Sequence, residues 1–283
     1  MSAPDEESAL LGLAPVAPDR TVAYGPHPDQ IVDLYGPEGT YRPGDMYGPK
    51  GAGPGQGARP LVVLLHGGFW RAAYDRRHLS PLAAALAGHG LPVALAEYRR
   101  VGAGGGAPQT FEDVAAAIGA AAHEAGASRG LVLVGHSAGG HLALLAAARP
   151  GTPVTRIIAV APVADLARAH ELDLSEGAVA ELLGAGRGKS AGQGLADRIA
   201  AADPMRQPRL SHIPVTILHG ADDPDVPPEI SRRYAAAHPA ATTLRELPGV
   251  GHYAPVTPGT PAFRTLLTTL LDPRPSAALL RST

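Results

Sequence analysis

The sequence predicts an α/β fold: a mostly parallel sheet with helices on both faces and a small helical lid insertion. Three observations predict it. Continuous apolar runs such as LVVLLHG (61–67) read as strands buried on both faces. Segments of helical periodicity alternate with these runs for most of the chain, which implies parallel strands joined by crossover helices. One block, 163–210, breaks the alternation with short amphipathic pieces, and is expected to fold over the carboxyl edge of the sheet.

In chain order, residues 1–20 read as a loose acidic arm carrying Asp5, Glu6 and Glu7. A single domain is expected over 21–272, and a C-terminal tail over 273–283. TVAYG and QIVDLYG are short β-like runs, and the Gly/Pro-rich stretch 36–60 should be an exposed loop. After the strand at 61–67 comes a helix over HLSPLAAALAGHG, with Gly90 as its stop signal. LPVALAEY is the next strand, and TFEDVAAAIGAAAHEAG a helix with Thr110 placed to cap it. RGLVLVG is a strand, followed at once by the helix AGGHLALLAAARP. RIIAVAPV and PVTILHG are strands on either side of the lid block. PEISRRYAAAHP, TTLRELPG and PAFRTLLTTLL close the chain as helix, strand and helix.

Composition narrows the function. A net charge of −2 over 283 residues supplies no basic footprint for nucleic acid. No run approaches the roughly 18 apolar residues of a membrane span. The chain has no cysteine, which excludes disulfides, thiolate metal sites and a cysteine nucleophile. The acidic start lacks the charge pattern of an export signal, so a cytoplasmic location is expected.

The chemistry-bearing residues fall at the ends of strands. GHSAG (135–139) matches G-x-S-x-G with a strand before it and a helix after it. That context makes Ser137 a candidate nucleophile on a turn too tight for larger neighbours, with the N–H groups of a helix start beside it. A nucleophilic serine needs a base and an orienting acid. His252, in GVGHYAP after the last strand, is the candidate base. Asp222, Asp223 and Asp225 compete as the acid in HGADDPDVP. Gly68 and Phe69 in HGGFW, with Ala138 behind the serine, can offer backbone N–H groups to an oxyanion.

Taken in order, HGGFW, GHSAGGH, HGADDPDVP and GHY make the chain resemble the α/β-hydrolase superfamily over nearly its whole length. Within it, H-G-G-x-W with G-H-S-A-G-G-H resembles the kynurenine formamidase (arylformamidase) group and its carboxylesterase relatives. The resemblance implies Ser137 as nucleophile, Asp223 as acid, His252 as base, and an oxyanion loop over His66 to Trp70. The segment HGADDPDVPPEIS looks more like general esterases than formamidases. His66, Gly67, Trp70 and His136 are candidate pocket residues, although Trp70 could equally pack beneath the loop and His66 and His219 could shape theirs. His141, one helical turn past the serine, is expected to be packed.

Two phosphate-like motifs compete with this reading. GAGRGKS (184–190) has Leu183 where a P-loop requires glycine, and GAGGGA (102–107) is broken by Pro108. The latter reads as a mobile rim loop. A calcium loop fails at Pro227. The expected activity is therefore hydrolysis of a small ester or amide through an acyl-enzyme, arylformamidase-like, without metal or cofactor. The alternatives are a short-chain carboxylesterase or a non-catalytic binding protein on the same scaffold. The expected partner is a small molecule, and the chain a monomer or homodimer.

Overall fold

The computed structural model describes residues 3–36, 59–125, 130–184, 194–207 and 212–272. Among them runs an eight-stranded sheet: β1 (Arg20–Ala23), β2 (Ile31–Tyr35), β3 (Leu61–Leu65), β4 (Val93–Ala96), β5 (Leu131–His136), β6 (Val154–Val160), β7 (Val215–Gly220) and β8 (Thr242–Leu247). Their spatial order is β1-β2-β4-β3-β5-β6-β7-β8. β2 pairs antiparallel with β1 and β4, and every pairing from β4 through β8 is parallel.

The apolar runs are explained by what covers them. Successive side chains of a strand point to opposite faces. Leu61, Val63 and Leu65 join one core cluster with Leu133, α3 (Gln109–Glu124), α4 (Ala138–Ala147) and α8 (Pro228–Ala237). Val62 and Leu64 join the other with Val134, α2 (Ser80–Gly88) and α9 (Pro261–Leu271). Each face of the sheet thus has its own helical layer, and no position in the central strands can be polar without an internal partner.

The insertion lies between β6 and β7 as expected, as α5 (Leu166–Glu171), α6 (Ala178–Leu182) and α7 (Gly194–Ala202). Buried Asp203 gathers it by accepting the amides of Leu166, Ala167 and Met205 at 3.1–3.3 Å. Arg71, just after β3, reaches across to Glu181 Oε2 at 2.7 Å and to the hydroxyl and carbonyl of Ser175 at 2.7 and 2.6 Å.

Three expectations are corrected. The expected acidic arm is not loose throughout: its described part carries helix α1 (Ala3–Leu11), whose Leu10 is buried in the α2/α9 core layer. Thr110 does not cap α3. It sits inside the first turn, where its hydroxyl accepts the Gly106 amide at 2.9 Å and donates to the Arg99 carbonyl at 2.7 Å. Those bonds also correct the rim-loop reading of 102–107, which turns back on its own chain: a Cβ at Gly105 would stand 2.2 Å from the Arg99 oxygen. The expected loop at 37–58, the P-loop-like residues 185–190 and the tail 273–283 lie outside the described residues. Among the described residues no helix is long and apolar enough to cross a membrane.

The turn from β5 into α4 presses on β3. A Cβ at Gly139 would stand 2.1 Å from the Leu65 carbonyl oxygen, and one at Gly135 2.2 Å from that of Gly139. Exposed Gly119 in α3 has nothing within 4 Å of its missing Cβ. Gly139→Ala is therefore expected to destabilise the fold by about 3 kcal/mol or more. Gly119→Ala should stabilise it by about 0.5–1 kcal/mol through helix propensity. Urea unfolding of the two variants checks both, and a harmless Gly139→Ala would refute the steric account.

Candidate active site

Between β5 and α4 the chain passes through Ser137 at φ 56°, ψ −118°, a conformation that side-chain-bearing residues rarely adopt. It is held there by its amide donating to the Val160 carbonyl at 2.9 Å and its carbonyl accepting from Gly140 at 2.9 Å and Val163 at 3.2 Å. The strained turn lifts the hydroxyl off the end of the sheet. Ser137 reaches a cavity of about 300 Å³, whose walls include Gly68, Phe69, Tyr74, His78, His136, His252 and Tyr253.

The loops after β7 and β8 bring the next two groups. His252 Nδ1 faces Asp223 Oδ2 at 2.6 Å, both residues buried. The other carboxylate oxygen accepts the amides of Asp225 and Val226, each at 2.9 Å. His219 lies beneath: its Nε2 is 2.9 Å from the Val226 carbonyl and 3.2 Å from Asp223 Oδ2. Two acceptors on Nε2 make that nitrogen the protonated one, so Nδ1 accepts from the Ser231 hydroxyl at 2.6 Å. Burial works to raise the Asp223 carboxyl. The hydrogen bonds from His219 and His252 outweigh it, holding the group well below the usual carboxylate range. The structure thus pairs Asp223 with the histidine, leaves Asp222 exposed and puts Asp225 on the cavity wall. Asp223, Asp225 and His252 also offer metal-ligand atoms within 4.8 Å of one another, but both Asp223 oxygens are already taken by the histidine and two amides.

The loop after β3 bends sharply, with φ of 102°, 48° and 59° at Gly68, Phe69 and Trp70. Gly67 abuts the elbow so closely that a Cβ there would come within 2.9 Å of the Ser137 Cβ. Gly68 and Phe69 face the cavity, and Ala138 starts α4 behind the serine. The amides of these three residues donate to no acceptor among the described residues.

The other four pocket candidates separate. His136 lines the cavity; His66, Gly67 and Trp70 do not. His66 is fully buried, with Nε2 2.8 Å from Glu97 Oε1, Nδ1 2.8 Å from the Gly67 carbonyl, and its ring stacked on Tyr98 at 4.4 Å. Gly67 is backbone against the elbow. Trp70 is fully buried and meets His141 edge-on at 5.2 Å, because the reversed backbone at Phe69 and Trp70 turns the indole into the core. His141 is packed as expected, its Nε2 bonded to the Ala202 carbonyl at 3.0 Å.

His136 Nε2 donates to the carbonyl of His252 at 3.1 Å, with the two rings 4.6 Å apart. Burial and the neighbouring His252 ring hold its pKa well below the ordinary value, so it stays a neutral donor. His78, pushed down to about 4 by burial and then by the charge of His66, is likewise a neutral wall of the cavity. One contact has no sequence signal. The buried carboxylate of Glu6, on α1, accepts the amides of Gly251, Tyr253 and Ala254 at 2.9, 3.1 and 3.0 Å. Acidic residues near a chain start read as solvated, and backbone partners leave no mark in the sequence.

The parallel sheet, the strained serine between strand and helix, and the histidine–aspartate pair delivered by the last two strand ends define an α/β-hydrolase fold. The chain belongs to the BD-FAE family, whose profile matches residues 45–237. A search of curated protein sequences returned no match. Among solved structures, a truncated carbohydrate esterase from gut microbiota superposes with a TM-score of 0.70 at 19% identity, over 92% of this chain and 98% of that one. Esterase B from Lactobacillus rhamnosis does so with a TM-score of 0.70 at 20% identity, over 95% and 89%. The esterase Est2 of Thermogutta terrifontis, in a propionate-bound structure, gives 0.64 at 23% identity, over 88% and 91%. At these identities the likeness is one of fold.

Glu97 holds the loop that presents Gly68 and Phe69. Besides His66 it accepts the amides of Arg76 and Tyr98 at 2.9 and 3.0 Å. Burial works to raise its carboxyl, but the charge and hydrogen bond of His66, then Arg100 and the Arg76 amide, push it down to about 2. A depressed pKa stabilises the fold fully above the unfolded value of 4.5, and that contribution fades as pH falls toward about 2. Glu97→Gln should lower stability at pH 7 and flatten its decline over that window. Urea midpoints from pH 7 to 2 test this; parallel declines in variant and parent would refute it.

Proposed function

We propose that this protein is a serine esterase acting on small acyl substrates through an acyl-enzyme. The observation that carries the reading is the 2.6 Å pairing of His252 Nδ1 with Asp223, opening on the same cavity as Ser137. In this reading the Ser137 hydroxyl attacks the substrate carbonyl and passes its proton to His252 Nε2. Asp223 keeps the proton on Nδ1 and stabilises the imidazolium. The oxyanion accepts the amides of Gly68, Phe69 and Ala138, which are preorganised by backbone bent in advance. Collapse expels the alcohol, protonated by His252, and leaves the acyl group on Ser137. Water, deprotonated by His252, then repeats the sequence and frees the acid.

A cavity of about 300 Å³ suits a small molecule and not an open polymer groove. The insertion contributes to its wall through Ser175. The propionate in the Thermogutta esterase supports a short acyl group, and the esterase names of the other neighbours support an ester bond as the one cleaved. The aromatic walls Phe69, Tyr74 and Tyr253 keep arylformamide hydrolysis as a second reading, since a flat ring fits between them and a formyl carbonyl is unhindered.

A fluorophosphonate probe is expected to label Ser137, and Ser137→Ala to abolish labelling and lower kcat by about 10⁴-fold or more. Labelling without turnover on any acyl substrate would favour a binding scaffold instead. Asp223→Asn should cost on the order of 10⁴-fold in kcat by leaving the imidazole in the wrong tautomer. Asp222→Asn should keep most activity, and the reverse order would refute the assignment of the acid.

On p-nitrophenyl esters, kcat/KM should fall from acetyl and butyryl to octanoyl and palmitoyl. Highest efficiency on palmitoyl would overturn the small-substrate reading. Turnover of N-formylkynurenine above that of the butyryl ester would make the second reading the first.

A further inference from the structure

The loop that carries His252 is gripped from two sides. From one, His136 donates to the His252 carbonyl at 3.1 Å. From the other, the carboxylate of Glu6 collects three amides of the same loop. Oε1 takes Gly251 at 2.9 Å, and Oε2 takes Tyr253 at 3.1 Å and Ala254 at 3.0 Å. The accepted amides come from both sides of His252 in sequence. Glu6 is only 2% exposed, so these bonds are made out of water.

Docking α1 does not by itself require this carboxylate. Leu10 already anchors the helix in the apolar layer beside α2 and α9. A buried carboxylate is costly unless its oxygens are satisfied, and here they are satisfied entirely by the loop that bears the candidate base. The loop is shaped to match, because a Cβ at Gly251 would stand 2.9 Å from Glu6 Oε2. Asp223 aims the imidazole, but it cannot set where the Cα of residue 252 stands. The amide contacts do that.

We propose that Glu6 is a positioning residue for His252, which makes the N-terminal helix part of the catalytic apparatus. The proposal rests on the serine-esterase reading given above. Misplacing a reacting group by about 1 Å can cost about 10²-fold in rate. Glu6→Gln keeps the size of the side chain but turns an NH₂ group toward amides that themselves donate. The loop must then shift, and with it the Tyr253 edge of the cavity, while the walls at Phe69 and Tyr74 on the opposite loops stay where they are.

The test pairs steady-state kinetics on p-nitrophenyl butyrate with proton NMR of the His252 Nδ1–H. For Glu6→Gln, kcat should fall about 10- to 100-fold with KM changed less than about twofold, and the proton signal should broaden. Glu6→Asp keeps the charge but cannot span all three amides, so its loss should be smaller. Wild-type kcat with a sharp signal in Glu6→Gln would overturn the proposal even if Tm dropped, since Glu6 would then be an anchor only. A lowered kcat with an unchanged signal would overturn it too. Should Glu6→Gln fail to fold, the same readouts on Glu6→Asp decide, with wild-type values overturning. If the parent protein proves inert toward every ester, the hydrolase reading falls. The signal comparison still decides whether Glu6 holds the ring.

Discussion

The close passage of the β5–α4 turn across the end of β3 is the constraint on which the rest of the structure depends. At Gly139 the two backbones approach so nearly that not even a methyl group fits between them and the Leu65 carbonyl. This contact places Ser137 directly beside Gly67 and the bend at Gly68 and Phe69. The candidate nucleophile and the amides proposed as its oxyanion donors follow strands far apart in sequence but adjacent in the sheet. Parallel pairing of β3 with β5 sets their register, and small residues let the two loops touch.

Around that contact the loops are held in a recurring way. Apart from the β5–α4 turn, which is held by backbone bonds alone, the loops that bring groups to the cavity have amides gathered by a buried carboxylate. Glu97 gathers Arg76 and Tyr98, Asp223 gathers Asp225 and Val226, and Glu6 gathers Gly251, Tyr253 and Ala254. Loops have few backbone partners of their own. A charged acceptor shared among several amides fixes direction as well as distance, and it does so without a bulky side chain in the cavity. The neutral histidines His78 and His136 then line the site without adding a charge that would compete with His252.

The strands and the elbow were legible because each has a local physical signature, whereas Asp223 was singled out from three aspartates only by the resemblance to α/β-hydrolases. Burial on both faces writes an unbroken apolar run, and a turn without room for Cβ writes glycine on both sides of the serine. His66 and Trp70 could be read either as pocket residues or as packing, and they do not line the cavity; at Trp70 the positive φ of consecutive residues breaks the usual relation between sequence neighbours and shared surroundings. Phe69 faces the cavity while Trp70 is wholly in the core. Thr110 looked like a cap, but its hydroxyl serves a turn that the glycines of 102–107 make possible. Glu6 was read as part of a loose acidic arm because its partners are main-chain groups 245 or more residues away.

That separation bears on how the protein is made. Glu6 leaves the ribosome 245 residues ahead of Gly251. Until those residues follow, the carboxylate has no loop to receive it and stays hydrated. Closing so long a segment carries the largest chain-entropy cost of any contact at the cavity. The hydrogen bonds to the His252 loop therefore belong to the last stage of maturation. A nascent chain that has already formed the β3–β5 elbow carries Ser137 before the strand ends that bear Asp223 and His252 have emerged.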